Sequence, residues 1–171
     1  VSTRSAEGLY SALTRLMARG GEPLIRQGMD LAMRMLGEQF VTGRDIDEAL
    51  KRGREHEKQG YRYSFDMLGE AAMTAADAER YFGDYERAIE AIGVASKGRG
   101  VVDGNGISVK LSALHPRYTW SQRERVLAEL LPRLKALCLQ ARRHDIGLNI
   151  DAEEADRLDL SLDLLEALAT D

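Results

Sequence analysis

The sequence predicts an α/β fold with a parallel sheet, preceded by an α-helical arm, on three observations. After residue 60, short β-rich runs alternate with helical stretches three times, an order that implies right-handed crossovers between parallel strands. Each β-rich run alternates polar and apolar residues, so each strand has one face of each kind. Before residue 60, apolar residues recur only at helix spacing. An open doubly wound sheet and a closed barrel both fit this order. Three strands complete neither, because a barrel takes eight strands and about 250 residues. The chain therefore reads as part of a larger domain. Val1 in place of Met, and a helical stretch that reaches Asp171 without a Gly or Pro stop, lead to the same expectation.

Residues 1–59 are expected to form the arm. Leu9, Leu13, Leu16 and Met17 mark a first helix, broken at Gly20 and Gly21. Pro23 suits the first turn of a second helix. Its apolar face holds Leu24, Ile25, Met29, Leu31, Ala32, Met35 and Leu36, and this methionine-rich stripe reads as packing and not as a binding groove. A third helix spans Asp45 to Gln59, facing Ile46, Ala49 and Leu50 inward, with Gly60 as its stop.

Residues 60–171 are expected to hold the strand–helix units. Tyr61 to Met67 is aromatic-rich and predicts a strand; Thr74 and Asp77 form a capping box for a helix that reaches Ala95. The glycine-rich Lys97 to Gly106 leads into a second β-rich run, Ile107 to Leu114. Ser121 and Glu124 resemble a second capping box, for a helix to His144 in which Pro132 should kink the chain or start a new segment. Leu148 to Asp151 is a short third strand, and Asp156 to Leu168 a third helix.

With 171 residues, 44% of them hydrophobic, the chain can bury one core. A net charge of −4 gives no strong attraction to phosphate backbones, so no nucleic-acid contact is expected. Cys138 is the single cysteine, so no internal disulfide is possible, no Cys/His zinc set exists and a reducing cytoplasm fits. Apolar runs stay short of the roughly 18 residues of a membrane span.

Alternation sets Ser64 and Asp66, Ser108, Lys110 and Ser112, and Asn149 and Asp151 on the polar faces of the three strands. Asp66, Lys110 and Asp151 sit late in their strands, where functional groups of parallel α/β folds gather. An inward lysine requires carboxylates, a bound anion or both. From spacing alone, a ligand site and a structural ion pair between Lys110 and Asp66 or Asp151 are equally supported.

Three segments carry a family resemblance: Tyr-Ser-Phe-Asp-Met-Leu-Gly-Glu-Ala-Ala at 63–72, Ser-Val-Lys-Leu-Ser-Ala-Leu-His-Pro-Arg-Tyr at 108–118 and Asn-Ile-Asp-Ala-Glu-Glu-Ala-Asp-Arg at 149–157. They resemble the early strands of the proline dehydrogenase barrel of bifunctional proline utilization A. Gly-Glu-Gln-Phe-Val-Thr-Gly at 37–43 resembles the segment before that barrel. The resemblance implies a partial (β/α)8 TIM-like barrel and FAD as cofactor. It also implies oxidation of L-proline to 1-pyrroline-5-carboxylate, with hydride transfer to the flavin and electrons passing to membrane quinone. By motif, Lys110 would sit by the proline carboxylate, Asp151 would shape the substrate and flavin pocket, and Glu70 would belong to a gate after the first strand. Asp66 and His115 would support them. Most FAD contacts and a pair of arginines for the carboxylate belong to later parts of the family's barrel, so the isolated chain is expected to be inactive. The resemblance further implies a downstream 1-pyrroline-5-carboxylate dehydrogenase domain and a cytoplasmic protein that meets the inner membrane peripherally.

Other readings of the residues lead elsewhere. Gly98, Gly100, Gly104 and Gly106 could suggest a phosphate cradle, but the run follows a helix and enters a strand, the reverse of phosphate loops. Asp151, Glu153, Glu154 and Asp156 could hold Mg2+ or Mn2+, the main alternative. His115 with Pro116 reads as loop-shaping, His56 and His144 as solvated or capping, and Cys138 as core. A third possibility is a non-catalytic scaffold, in which open strand and helix faces favour a homo-oligomer.

Overall fold

A computed structural model describes residues 26–30, 33, 37 and 41–170. The chain divides into two units, Val1–Arg44 and Asp45–Asp171. In the first, residues 26–30, 33 and 37 are helical, and Met29 of the methionine stripe is exposed. The first helix expected there, Met35 and residues 38–40 of the 37–43 motif lie outside the described residues.

The second unit opens with α1, Ile46–Glu57. The Asp45 side chain accepts the Glu48 backbone N–H at 2.8 Å, satisfying one of the four unpaired donors of the first turn. Ala49 and Leu50 enter this unit's core, so the helix read from sequence as the end of the arm is built into the body. Gly60, at φ +96°, ends it as expected.

Three short strands follow: β1 (Ser64–Asp66), β2 (Gly106–Val109) and β3 (Leu148–Ile150). They pair in parallel in the order β1-β2-β3, with Phe65 opposite Ile107 and Ile107 opposite Leu148. The helices between them are α2 (Ala75–Ser96), the short turns α3 (Gly100–Asp103) and α4 (Leu111–Leu114), α5 (Arg123–Arg143) and finally α6 (Leu158–Thr170). Tyr85, Ile89 and Ile92 of α2, Leu130, Leu134 and Leu137 of α5, and Leu160 and Leu164 of α6 share one core with Phe65, Ile107 and Val109. The apolar strand face meets the helices. On the other face Ser64, Asp66 and Asn149 are exposed.

The Thr74 capping box forms in full: the Thr74 hydroxyl accepts the Asp77 N–H at 3.1 Å, and the Asp77 carboxylate accepts the Thr74 N–H at 3.0 Å. Thr74→Ala is expected to destabilise the unit by about 1 kcal/mol, read by urea denaturation.

Four local expectations are corrected. The second strand stops at Val109 and not at Leu114, because a helical turn brings Leu111 and Leu114 to one side, where both are wholly buried, whereas a strand would alternate faces. The Ser121/Glu124 capping box is absent. Residues Trp120–Gln122 form a 3-10 turn, α5 begins at Arg123 with no side-chain cap, and the Ser121 hydroxyl instead meets that of Thr119 at 3.1 Å. Pro132 starts no new segment, since Leu130 and Leu134 on either side are fully buried and tertiary packing holds the helix through it. Cys138 is half-buried against the core and not within it, and burial raises its thiol pKa.

Candidate functional site

Parallel pairing in register brings the carboxyl ends of the three strands side by side. β1 ends on Asp66, Lys110 follows β2 at once, and Asp151 follows β3, its N–H donating to the Val109 carbonyl at 3.0 Å. Lys110 Nζ reaches all the carboxylates expected near it. It donates to Asp66, lies 2.9 Å from Asp151 Oδ2 and 3.3 Å from Glu70 Oε1, and meets the Met67 carbonyl at 3.4 Å. The Ser108 hydroxyl donates to the other Asp151 oxygen. Asp66, Glu70, Lys110 and Asp151 therefore form one cluster of three carboxylates and one ammonium.

Burial opposes the charge on Lys110, but hydrogen bonds to Asp66 and Asp151 and the charge of Glu70 more than offset it, holding its pKa above the usual lysine value. Burial likewise opposes ionisation of Asp151, yet the bonds from Ser108 and Lys110 win and hold its pKa below the usual range. The two shifts fix opposite pH limits. A depressed Asp151 pKa adds stability that is present above about pH 4 and lost as pH falls through the folded value. A raised Lys110 pKa adds stability that is complete below about pH 10 and lost as pH rises toward the folded value. Thermal denaturation against pH should show both losses, and Asp151→Asn should flatten the acid limb; an unchanged acid limb would remove Asp151 from this account.

Glu70 is the buried member: its side chain is 2% exposed, and Oε2 has no hydrogen-bond partner among the described residues. Its other oxygen accepts from the hydroxyl of Tyr85 at 3.3 Å, and that same hydroxyl accepts the Lys110 backbone N–H at 3.0 Å. Tyr85 escapes a reading of the sequence because helix spacing marks it only as core. One signal was present: a tyrosine on a face that also carries Ala78, Ala88, Ile89 and Ile92 needs a partner for its hydroxyl.

The remaining candidates go elsewhere. His115 is buried, its Nδ1 accepting the Arg117 N–H at 3.1 Å and its Nε2 lying 3.0 Å from Glu129, which shapes the loop after α4. Glu153 accepts the Ser112 N–H at 3.0 Å and pairs with Arg157 at 2.8 Å, and Glu154 pairs with the same arginine at 3.0 Å. Of the carboxylates considered for Mg2+ or Mn2+, Asp151 thus pairs with Lys110, and Glu153 and Glu154 pair with Arg157. Among the described residues no group of three or more His, Cys, Asp or Glu is placed to hold a metal ion.

The sequence model for proline dehydrogenase matches residues 49–171. The chain belongs to the proline dehydrogenase family. It is 62% identical over 168 residues to the bifunctional protein PutA of Klebsiella aerogenes, covering 98% of this chain and 13% of that protein. Against PutA of Rhizobium meliloti it is 62% identical over 170 residues, 99% of this chain and 14% of the relative. The chain thus spans about one-seventh of these relatives. Among solved structures, proline utilization A of Bradyrhizobium japonicum matches with a TM-score of 0.70 and 52% identity, over 92% of this chain and 16% of that one. Proline utilization A of Bdellovibrio bacteriovorus, described as inactivated by N-propargylglycine, matches with a TM-score of 0.79 at 20% identity, over 86% of this chain and 17% of that one, a likeness of fold. The family resemblance of the three strand motifs is met. No helix among the described residues is long and apolar enough to cross a membrane.

Proposed function

We propose that this chain supplies the first three strand–helix units of the (β/α)8 barrel of a flavin-dependent proline dehydrogenase, which in the intact protein oxidises L-proline to 1-pyrroline-5-carboxylate. The observation that carries this is the Lys110 cluster at the strands' carboxyl ends in a chain of the proline dehydrogenase family. The charges fit an amino acid. Lys110 offers an ammonium to the substrate carboxylate, and the three acidic side chains leave net negative charge for the ring ammonium.

The same charges bear on the cofactor. An excess of carboxylate is unsuited to a pyrophosphate but suits the uncharged ring of a flavin beside the substrate's ring ammonium. Asp151 and Lys110 are the residues that would face that ring. FAD, when bound, supplies the acceptor for the hydride. Asp66 holds the lysine, Glu70 closes the site after β1, and His115 shapes the loop beyond α4. In the intact protein we place electron transfer to membrane quinone, a downstream 1-pyrroline-5-carboxylate dehydrogenase domain, and a cytoplasmic location with peripheral contact to the inner membrane.

Full-length protein should be yellow and reduce dye only when proline is added, and tetrahydrofuroate, a substrate-like anion, should inhibit it. The isolated chain should show neither flavin absorbance nor dye reduction. A yellow, active isolated chain would overturn the assignment of the missing contacts to other segments, and an inactive full-length protein would overturn the proposal.

A further inference from the structure

We infer that Tyr85 is a positioning residue for the proline site, setting Lys110 and Glu70 against each other through one hydroxyl group; the inference rests on the proline dehydrogenase reading. The geometry closes a ring. The Tyr85 hydroxyl accepts from the Lys110 backbone N–H, donates to Glu70 Oε1, and Glu70 Oε1 in turn lies 3.3 Å from Lys110 Nζ. Tyr85 is wholly buried in the middle of α2, so packing fixes where its oxygen sits. Lys110 is the point at which β2 ends and the α4 turn begins, and its backbone N–H has left the strand ladder when Tyr85 receives it. The hydroxyl therefore sets how far Lys110 stands beyond the sheet.

On the other side it holds one oxygen of Glu70 beside the ammonium, with Oε2 buried and without a partner among the described residues. Two further bonds lie nearby: the Ala72 N–H donates to the Ser112 carbonyl at 3.0 Å, tying the segment after β1 to α4, and Glu153, beyond β3, accepts the Ser112 N–H. Neither involves Lys110 or Glu70 itself. Tyr85 alone, among the described residues, bonds both. Desolvation raises the Tyr85 phenol pKa well above its ordinary value, outweighing the lowering effect of the Lys110 N–H, so the O–H stays available as a donor.

The test is Tyr85→Phe in the full-length holoenzyme, with Tyr63→Phe as control. Tyr63 precedes β1 at the opposite end of the sheet, and its hydroxyl bonds His56. Y85F should raise KM for proline and the calorimetric Kd for tetrahydrofuroate together by roughly ten-fold, the order carried by a hydrogen bond to a charged group, with kcat within about two-fold. Y63F should change neither constant. A Y85F enzyme with a lower Tm but unchanged KM and Kd is a merely packed tyrosine, and overturns the inference alone. A wild-type enzyme without proline oxidation overturns the parent reading and this one together. If Y85F does not fold because Glu70 loses its donor, the Y85F/E70Q double variant removes that charge. Its KM should still exceed that of E70Q alone, because the Lys110 N–H loses its acceptor in either background, and a KM equal to that of E70Q overturns the inference.

Discussion

Lys110→Ala in the full-length protein is expected to lower kcat/KM for proline by about a hundred-fold, chiefly through KM, while flavin absorbance is retained. The ammonium pairs with Asp66, Glu70 and Asp151, so its loss removes the group for the substrate carboxylate and leaves three acids facing the site. An anionic end of the substrate would then meet repulsion as well as a missing partner. A stability cost accompanies this effect. Asp66 and Asp151 are partly exposed and water can serve them, but Glu70 is 2% exposed and would keep only the Tyr85 hydroxyl. A destabilisation of about 2 kcal/mol is expected, read by denaturant unfolding. The two measurements separate the readings that spacing left equal. If Lys110 were only a structural ion pair, the folded fraction of the variant would keep its KM.

Gly106→Ala is expected to destabilise the strand–helix unit by about 3 kcal/mol, near the upper end for added volume in a packed interior. A Cβ at Gly106 would lie 2.6 Å from the Gly147 carbonyl oxygen and 3.2 Å from its carbon, and this neighbour is backbone. Neither side can yield cheaply. The Gly106 N–H donates to the Tyr63 carbonyl at 2.8 Å and the Ile107 N–H to the Gly147 carbonyl at 2.9 Å, so moving β2 away from one neighbour breaks a bond to the other. Gly104 is confined in the same way, against Ser96 and the Gly100 carbonyl. In the glycine run once comparable to a phosphate cradle, close approach thus explains Gly104 and Gly106, and positive φ values of +69° and +81° explain Gly98 and Gly100. Urea midpoints of wild type and G106A provide the check, and a shift matching less than about 1 kcal/mol would show that β2 can move after all.

The sequence by itself determined the order of strands and helices, the polar and apolar strand faces, and the grouping of Asp66, Lys110 and Asp151. These follow from local periods, two for strands and 3.6 for helices, and from the late position of each residue in its strand. The Thr74 capping box was legible for the same reason, because both partners lie within three residues. Tertiary structure alone decided the rest. Leu111 turns helical to put Leu114 beside it in the core, and α5 starts without the cap that Ser121 and Glu124 offered. Glu153 serves Ser112 and Arg157, and Tyr85 meets Lys110 from 25 residues away. What a buried hydroxyl or carboxylate bonds depends on which distant backbone packing delivers to it, and no local period encodes that.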